Sequence, residues 1–469
     1  MKKQFIIIGA GPGGYVAAIR AAQLGAIVTL IEGRDIGGTC LNRGCISTKA
    51  MYTNAKKINE LKKMDEFGIN VEGFSLDFEK IQSRKQSVVD QLVGGIEKLL
   101  KDYGVEVIQG WASFTGDRTL EVKMQDGEKI DLEGEKILIA SGSKPTILPV
   151  EGIDLPGVIT SDELLGIDHI PKRLAVAGSG VIGIELAAIF NAFGSEVTVV
   201  SSTLLKRMDG EMIKRVQPYL KKQGLNIKQD CRVTGIHQTE SGLQIDIRNK
   251  KTGKEDVVEA DTLLMAPGRE PMLNGLNLEG AGVEYDASGI QVNKKLQTSN
   301  ENIYAIGDIL GGMMLAHVAS HQGIAAVEYM LGHDSSIRLD VVPDCVFMDP
   351  QLAGVGMTEE EIKQKEIEYI SGKFMFGANG KALGMGEPEG FVKFLARKDN
   401  HRLLGMHVMG AHASDLIHEG ALALSHDMTL EDITQTIHAH PTLAETVMEA
   451  ALAATDEAIH MAPPRKKKK

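Results

Sequence analysis

Two stretches of the chain carry the same hydrophobic pattern. In residues 5–32 an apolar run, Phe5-Ile6-Ile7-Ile8, meets Gly9-Ala10-Gly11-Pro12-Gly13-Gly14. It continues through a segment rich in small residues and ends in a second apolar run closing on Thr29-Leu30-Ile31-Glu32. In residues 174–201 the order recurs, with Gly178-Ser179-Gly180-Val181-Ile182-Gly183 at the break and Val197-Thr198-Val199-Val200-Ser201 at the end. Short apolar runs bounded by glycine read as strands, and the small-residue segments between them as helices. The offset of 169 residues predicts a duplicated strand–helix–strand module rather than a short repeat.

A lone Gly-x-Gly-x-x-Gly turn is weak, because such turns also occur for packing alone. Here each copy follows an apolar strand and opens a helix, which is the setting of a dinucleotide fingerprint. Gly9 and Gly11, like Gly178 and Gly180, would let the backbone approach a pyrophosphate at a helix N-terminus. Free N–H groups and the helix dipole favour an anion there. Gly14 and Gly183 complete the two fingerprints.

A third segment, Asn302-Ile303-Tyr304-Ala305-Ile306-Gly307-Asp308, reads as a short strand ending in Gly-Asp, with a helix from about Ala316. From Val341 onward strands and amphipathic helices follow without glycine fingerprints. The predicted organisation is a dinucleotide-binding domain over 1–145, a second over 146–270, a return to the first over 271–340, and a separate C-terminal domain over 341–469. The fold class is α/β, with two Rossmann-like domains and a C-terminal α+β interface domain.

Composition narrows this picture. A chain of 469 residues is too long for one ordinary core, so two to four domains are expected. The 43% apolar and 24% charged fractions suit a soluble globular protein. Its 52 glycines fit many tight turns or close backbone–ligand approaches. The N-terminal apolar stretch is too short for a signal-peptide core and no run is long enough for a membrane span, so the reading is cytoplasmic, without a membrane partner. Formal net charge is −12, and the tail Arg465–Lys469 contributes +5, leaving −17 on the rest. Such a surface disfavours nucleic acid. The tail over 463–469 reads as a disordered solvated end, with a polyanion or membrane patch as the sharper alternative.

Only four cysteines occur, too few for a stapled secreted framework. Two of them lie in Gly37-Gly38-Thr39-Cys40-Leu41-Asn42-Arg43-Gly44-Cys45, followed by Ile46-Ser47-Thr48-Lys49. Zinc is disfavoured: the spacing is not that of a metal knuckle, and Cys231 and Cys345 are isolated. Those two read as ordinary small apolar residues. Residues five apart on a straight helix are separated by about 7.5 Å along the axis, beyond disulfide reach. A bridge between Cys40 and Cys45 therefore needs a distorted turn, which Gly44 could permit; two unrelated reduced cysteines is the other reading. A helix N-terminus would favour the reactive thiolate.

This stretch resembles the active-site disulfide of the pyridine nucleotide–disulfide oxidoreductases, most closely that of the dihydrolipoamide dehydrogenases. The resemblance covers nearly the whole chain: Ala140-Ser141-Gly142-Ser143-Lys144-Pro145, Ala266-Pro267-Gly268-Arg269-Glu270-Pro271, Gly307-Asp308 and His438-Ala439-His440-Pro441-Thr442 follow in the family's order. It implies FAD on the first fingerprint, one per subunit, and NAD, with NADP as an option, on the second. Glu32 would hold the FAD ribose and Asp308 the flavin side, with Gly38, Thr39, Gly142 and Ala316 lining the FAD site. Gly268 and Ser201 would belong to the cofactor sites as well. Lys49 would sit beside the flavin and pair with Glu185. Cys40 would exchange with substrate, and Cys45 would face the flavin. The family usually has an apolar residue at Arg43, proline at Ser47, asparagine at Met272 and an acidic residue at Ser201.

His440 and Glu445, five apart, could meet on a turn entering a helix, and a carboxylate would fix the tautomer of a proton-abstracting imidazole. A surface histidine near a glutamate is commonplace, and the spacing alone does not make a base. The resemblance does imply one, a His–Glu dyad from one subunit serving the disulfide of the other in a homodimer. His438 reads as structural, and His317 and His321 as packing near the flavin. The implied activity is oxidation of dihydrolipoamide, carried on the lipoyl domains of a multienzyme complex, through Cys40 and Cys45 and FAD to NAD. The alternatives are a glutathione-type disulfide reductase and a redox-inactive coenzyme-binding protein.

Overall fold

The computed structural model describes residues 3–462; the basic tail expected over 463–469 lies outside them. The duplicated pattern becomes two parallel sheets. Gln4–Ile8 is the third strand of a seven-stranded sheet ordered Ile303–Ala305, Lys136–Ile139, Gln4–Ile8, Ile27–Glu32, Glu106–Phe114, Thr119–Met124, Lys129–Glu133. The first five run parallel and the last two fold back antiparallel. In the second copy Arg173–Ala177 is the centre of a parallel sheet ordered Asn226–Gln229, Glu196–Ser201, Arg173–Ala177, Thr262–Met265, Val158–Thr160. Strands buried on both faces need near-continuous apolar sequence, and Phe5, Ile6, Ile7, Leu174, Ala175 and Val176 are all fully buried.

The copies match in detail. Gly9 (φ +101°) and Gly178 (φ +128°) have left-handed backbone, and a Cβ on either would collide with a carbonyl oxygen, of Ala140 and Ala266 respectively. A Cβ on Gly14 or Gly183 would collide with the carbonyl of Gly9 or Gly178. Helices Pro12–Gln23 and Val181–Phe193 therefore start hard against their strands, and their first turns face the ends of the sheets.

Helix Ala316–Met330 returns across Pro12–Gln23, with Gly323 against the Gly13 carbonyl, and so fixes the Gly307–Asp308 turn at the mouth of the first sheet. The C-terminal unit is an antiparallel sheet ordered Asp344–Val346, Gln351–Gly356, Leu403–Gly410, Phe391–Arg397, Tyr369–Met375. Helices Ala413–Ser425 and Glu445–Ala454 cover it over a core that includes Phe374, Phe394 and Val447. A buried ion cluster ties this unit to the second Rossmann-like unit at the start of helix Gly210–Lys222: Lys393 lies 3.1 Å from Asp209 and 2.6 Å from Glu359. The architecture is the α/β class expected, two Rossmann-like units and a C-terminal α+β unit. Among the described residues, no helix is long and apolar enough to cross a membrane.

Candidate active site

The cysteine segment folds as two helices with a break between them. Helix Gly38–Arg43 stops at Gly44, whose backbone (φ −148°, ψ −117°) leaves the helical region, and Cys45–Leu61 begins at once. A Cβ on residue 44 would lie 2.8 Å from the Thr39 carbonyl oxygen and 3.4 Å from the Cys40 Cα, so the turn closes only on glycine. Ser47, fully buried, donates to the carbonyls of Leu41 and Asn42 (3.1 and 3.0 Å) and ties the second helix to the end of the first. This is the distorted turn that the pair requires.

Cys40 and Cys45 carry free thiols, and they are not equivalent. The hydrogen bond from Cys40 brings Cys45 down to about 7, with help from Lys49 and against the upward push of burial. The same hydrogen bond, together with burial, drives Cys40 far above the ordinary thiol range. The two thiols are thus biased in opposite directions, Cys45 toward the thiolate and Cys40 toward the protonated form.

Lys49, one helical turn beyond Cys45, reaches Glu185 at 2.8 Å, joining the first unit to the helix of the second fingerprint. Glu185 is buried, which raises its carboxyl, while Lys49 and the Phe347 amide at 2.8 Å pull it back. The Lys49 ammonium also lies 4.5 Å from the centre of the Phe347 ring.

These groups open onto one cleft of about 1710 Å³. Its walls bring together Cys40, Cys45, Lys49 and Glu185 with Gly9, Gly11, Glu32, Gly38 and Thr39 of the first fingerprint region. Gly142, Gly180, Gly268, Asp308 and Ala316 line it as well. Gly14, Gly178 and Gly183 stand behind the wall, where they seat the helices. The cleft suits a dinucleotide. At one end the buried Glu32 accepts from the Ala10 and Arg34 amides (2.6 and 2.7 Å) and keeps its carboxylate at the strand end. At the other, Ser143 donates to Asp308 at 2.5 Å while Arg269 donates to Ser143 at 2.7 Å. Burial raises the Asp308 carboxyl against these two contacts.

The second fingerprint ends differently. Ser201 is buried, 1% exposed, with its hydroxyl 2.6 Å from that of Ser179, and it does not line the cleft. Arg207, which could have met a phosphate, is paired with Asp344 at 2.9 Å. Lys206 lines the cleft, is exposed, and forms no ion pair among the described residues.

The His440–Glu445 dyad forms as the spacing suggests. Nδ1 meets Oε1 at 2.8 Å, and the Thr442 amide holds the other carboxylate oxygen at 2.8 Å. Burial is the largest single influence and pushes Glu445 up, but these contacts together lower it below its usual range. The imidazole is 80% exposed, and neither residue lines the cleft that holds this chain's cysteines. His438 is structural: its side chain is 4% exposed, with Nε2 on Glu419 and Nδ1 on the Thr436 carbonyl. His317 accordingly packs at the cleft, lowered by burial and bonded to the Pro343 carbonyl. Cys231 is buried, and burial pushes Cys345 up to about 12.

Two cleft groups, Asp162 and Trp111, escaped the sequence reading, and a third, Arg43, was marked there only as a departure from an apolar residue. Arg43 pairs with Asp35 and lies 4.0 Å from Asp162. Asp162, raised by burial, keeps one carboxylate oxygen without a hydrogen bond. Trp111 projects into the cleft from strand Glu106–Phe114. Arg43 stood out as a charge inside the cysteine segment; Asp162 and Trp111 had no local signal.

Two dinucleotide-type sheets, a cysteine pair beside a lysine–glutamate bridge, and a C-terminal sheet domain define a disulfide oxidoreductase architecture. Residues 3–323 match the pyridine nucleotide-disulphide oxidoreductase model, and 342–451 match the dimerisation domain of the same family. The chain belongs to the pyridine nucleotide-disulphide oxidoreductase family. It is 41% identical over 461 residues to a mitochondrial dihydrolipoyl dehydrogenase of Pisum sativum, covering 97% of this chain and 92% of the relative. It is 41% identical over 466 residues to dihydrolipoyl dehydrogenase of Bacillus subtilis, covering 97% and 98%. Among solved structures, LpdA from Mycobacterium tuberculosis superposes with a TM-score of 0.88 at 27% identity, covering 96% of this chain and 99% of that one.

Proposed function

We propose that the chain is a homodimeric dihydrolipoyl dehydrogenase that oxidises dihydrolipoamide on lipoyl domains and delivers the electrons through FAD to NAD. The observation that carries this reading is the pair Cys40 and Cys45, set on either side of the helix break at Gly44 and lining one cleft with the Lys49–Glu185 bridge. Bound FAD would accept two electrons from the dithiol side and pass them as hydride to the nicotinamide. Glu32, Gly9, Gly11 and Asp308 would hold it, and the second fingerprint, Gly178-Ser179-Gly180, would hold the nicotinamide coenzyme.

The residues divide the remaining work. With the pair oxidised, a lipoyl thiolate attacks Cys40 Sγ, forming a mixed disulfide and releasing Cys45 as thiolate. Lys49 and the turn at the start of Cys45–Leu61 stabilise that charge. His440 of the partner subunit takes the lipoyl proton, because the thiolate is the attacking species. Glu445 of the partner subunit orients the ring and supports the imidazolium. The second lipoyl thiol then displaces Cys40, which leaves with that thiol's proton, so the pair ends reduced with Cys45 as the thiolate. The 41% identity to two dihydrolipoyl dehydrogenases supports this substrate over glutathione. Steady-state turnover with free dihydrolipoamide against reduced glutathione, with both nicotinamides, tests it. Dihydrolipoamide-dependent reduction of NAD is expected, and turnover with glutathione alone would refute the reading.

A further inference from the structure

Resting on the FAD reading above, we infer that Trp111 is the platform on which this chain holds the adenine of FAD. Trp111 is the single tryptophan of the chain, and it is 53% exposed. Among the described large apolar side chains that are exposed, it is the one that lines the cleft. An indole left half in water beside a ligand cleft offers a flat apolar surface to whatever binds there.

The ring is not loose. A Cβ on Gly33 would lie 2.6, 2.7 and 2.8 Å from Cδ2, Cε2 and Cε3, the atoms around the ring fusion. Residue 33 therefore sits against the flat of the indole and must be glycine for the ring to lie there. Gly33 directly follows Glu32, the strand-end carboxylate suited to the ribose, and strands Ile27–Glu32 and Glu106–Phe114 are neighbours, with Glu32 beside Gln109. The base attached to a ribose held at Glu32 thus arrives where Trp111 stands. Gln109 donates to the Arg34 carbonyl at 2.9 Å and fixes the loop around this corner. Purines stack on aromatic rings through their π faces.

Because Trp111 is the only tryptophan, its emission reports on this site alone. In protein freed of FAD, ADP should quench the emission saturably, whereas FMN, which lacks adenine, should not. Trp111→Ala should raise the FAD dissociation constant about 10- to 100-fold, and Trp111→Phe by less. Both variants, once saturated with FAD, should show the wild-type flavin spectrum, because the isoalloxazine end of the cleft is untouched. Emission indifferent to ADP, or wild-type FAD affinity in Trp111→Ala, would overturn the inference alone. A protein that neither carries nor binds FAD would overturn the flavoenzyme reading and this inference with it.

Discussion

Cys45 owes its low thiol value first to a hydrogen bond and then to a cation, and each can be removed separately. A thiolate against an oxidised flavin gives a long-wavelength absorbance band. Cys40→Ser leaves Cys45 unpaired with a hydroxyl beside it, and should show the band without reductant. Cys45→Ser should not. Because the folded value lies below the ordinary thiol value, the thiolate persists above about pH 7 and is lost as pH falls through it. Cys40→Ala removes the largest stabilising contact, so the midpoint of the band should move to higher pH. Identical behaviour of the Cys40 and Cys45 variants would reverse or cancel their roles.

Coenzyme choice is also decided by single residues. Glu32 accepts from the Ala10 amide, and the corresponding position in the second copy is Ser201, buried on Ser179. No carboxylate guards that strand end against a 2′-phosphate, and Lys206 stands exposed in the cleft. The two coenzymes should therefore differ by less than about a hundredfold in kcat/KM, since one missing charge contact is worth at most a few kcal/mol. Ser201→Glu should shift preference strongly toward NAD, and Lys206→Glu should weaken NADP selectively. A wild-type preference for NAD of about ten-thousandfold would mean that another residue reads the ribose. Arg207 shows where reading by sequence proximity stops, because its ion pair with Asp344 joins positions 137 apart.

At the scale of elements, what was legible was local. Strand–glycine–helix order is written in neighbouring residues, so both fingerprints could be placed from the chain. The break at Gly44 was legible too, because the distance along a straight helix excluded a pair. The Lys49–Glu185 bridge spans 136 positions and came only through family resemblance. Trp111 had no signal at all: an aromatic residue on a strand reads as ordinary β packing until the fold puts it on a cleft. Ser47 was marked as a departure from proline, without a role. The structure gives it one, two hydrogen bonds that close the broken helix. Ser47→Ala would leave carbonyls without their donor and should cost about 1–3 kcal/mol of stability, measured by denaturant unfolding. A neutral result would show that the turn is held by Gly44 and the helix ends alone.

The whole molecule has to supply what one chain's cleft lacks. Cys40 and Cys45 face the cleft, while the His440–Glu445 dyad stands 80% exposed on the C-terminal domain, outside that cleft. A dyad built with two carboxylate contacts but no local thiol to serve fits a site completed by a second copy, and residues 342–451 match a dimerisation domain. Subunits carrying Cys45→Ser and subunits carrying His440→Ala should each form inactive homodimers. In a mixed dimer, one site inherits both lesions and the other inherits neither. After subunit exchange at equal amounts, half the dimers are mixed and each has one intact site, so activity should recover to about a quarter of wild type. The recovered activity should keep the wild-type KM for dihydrolipoamide, because the intact site is unaltered. Exchange verified by mass with no recovery would place the base within the same chain as the cysteines, and the composite site would fall.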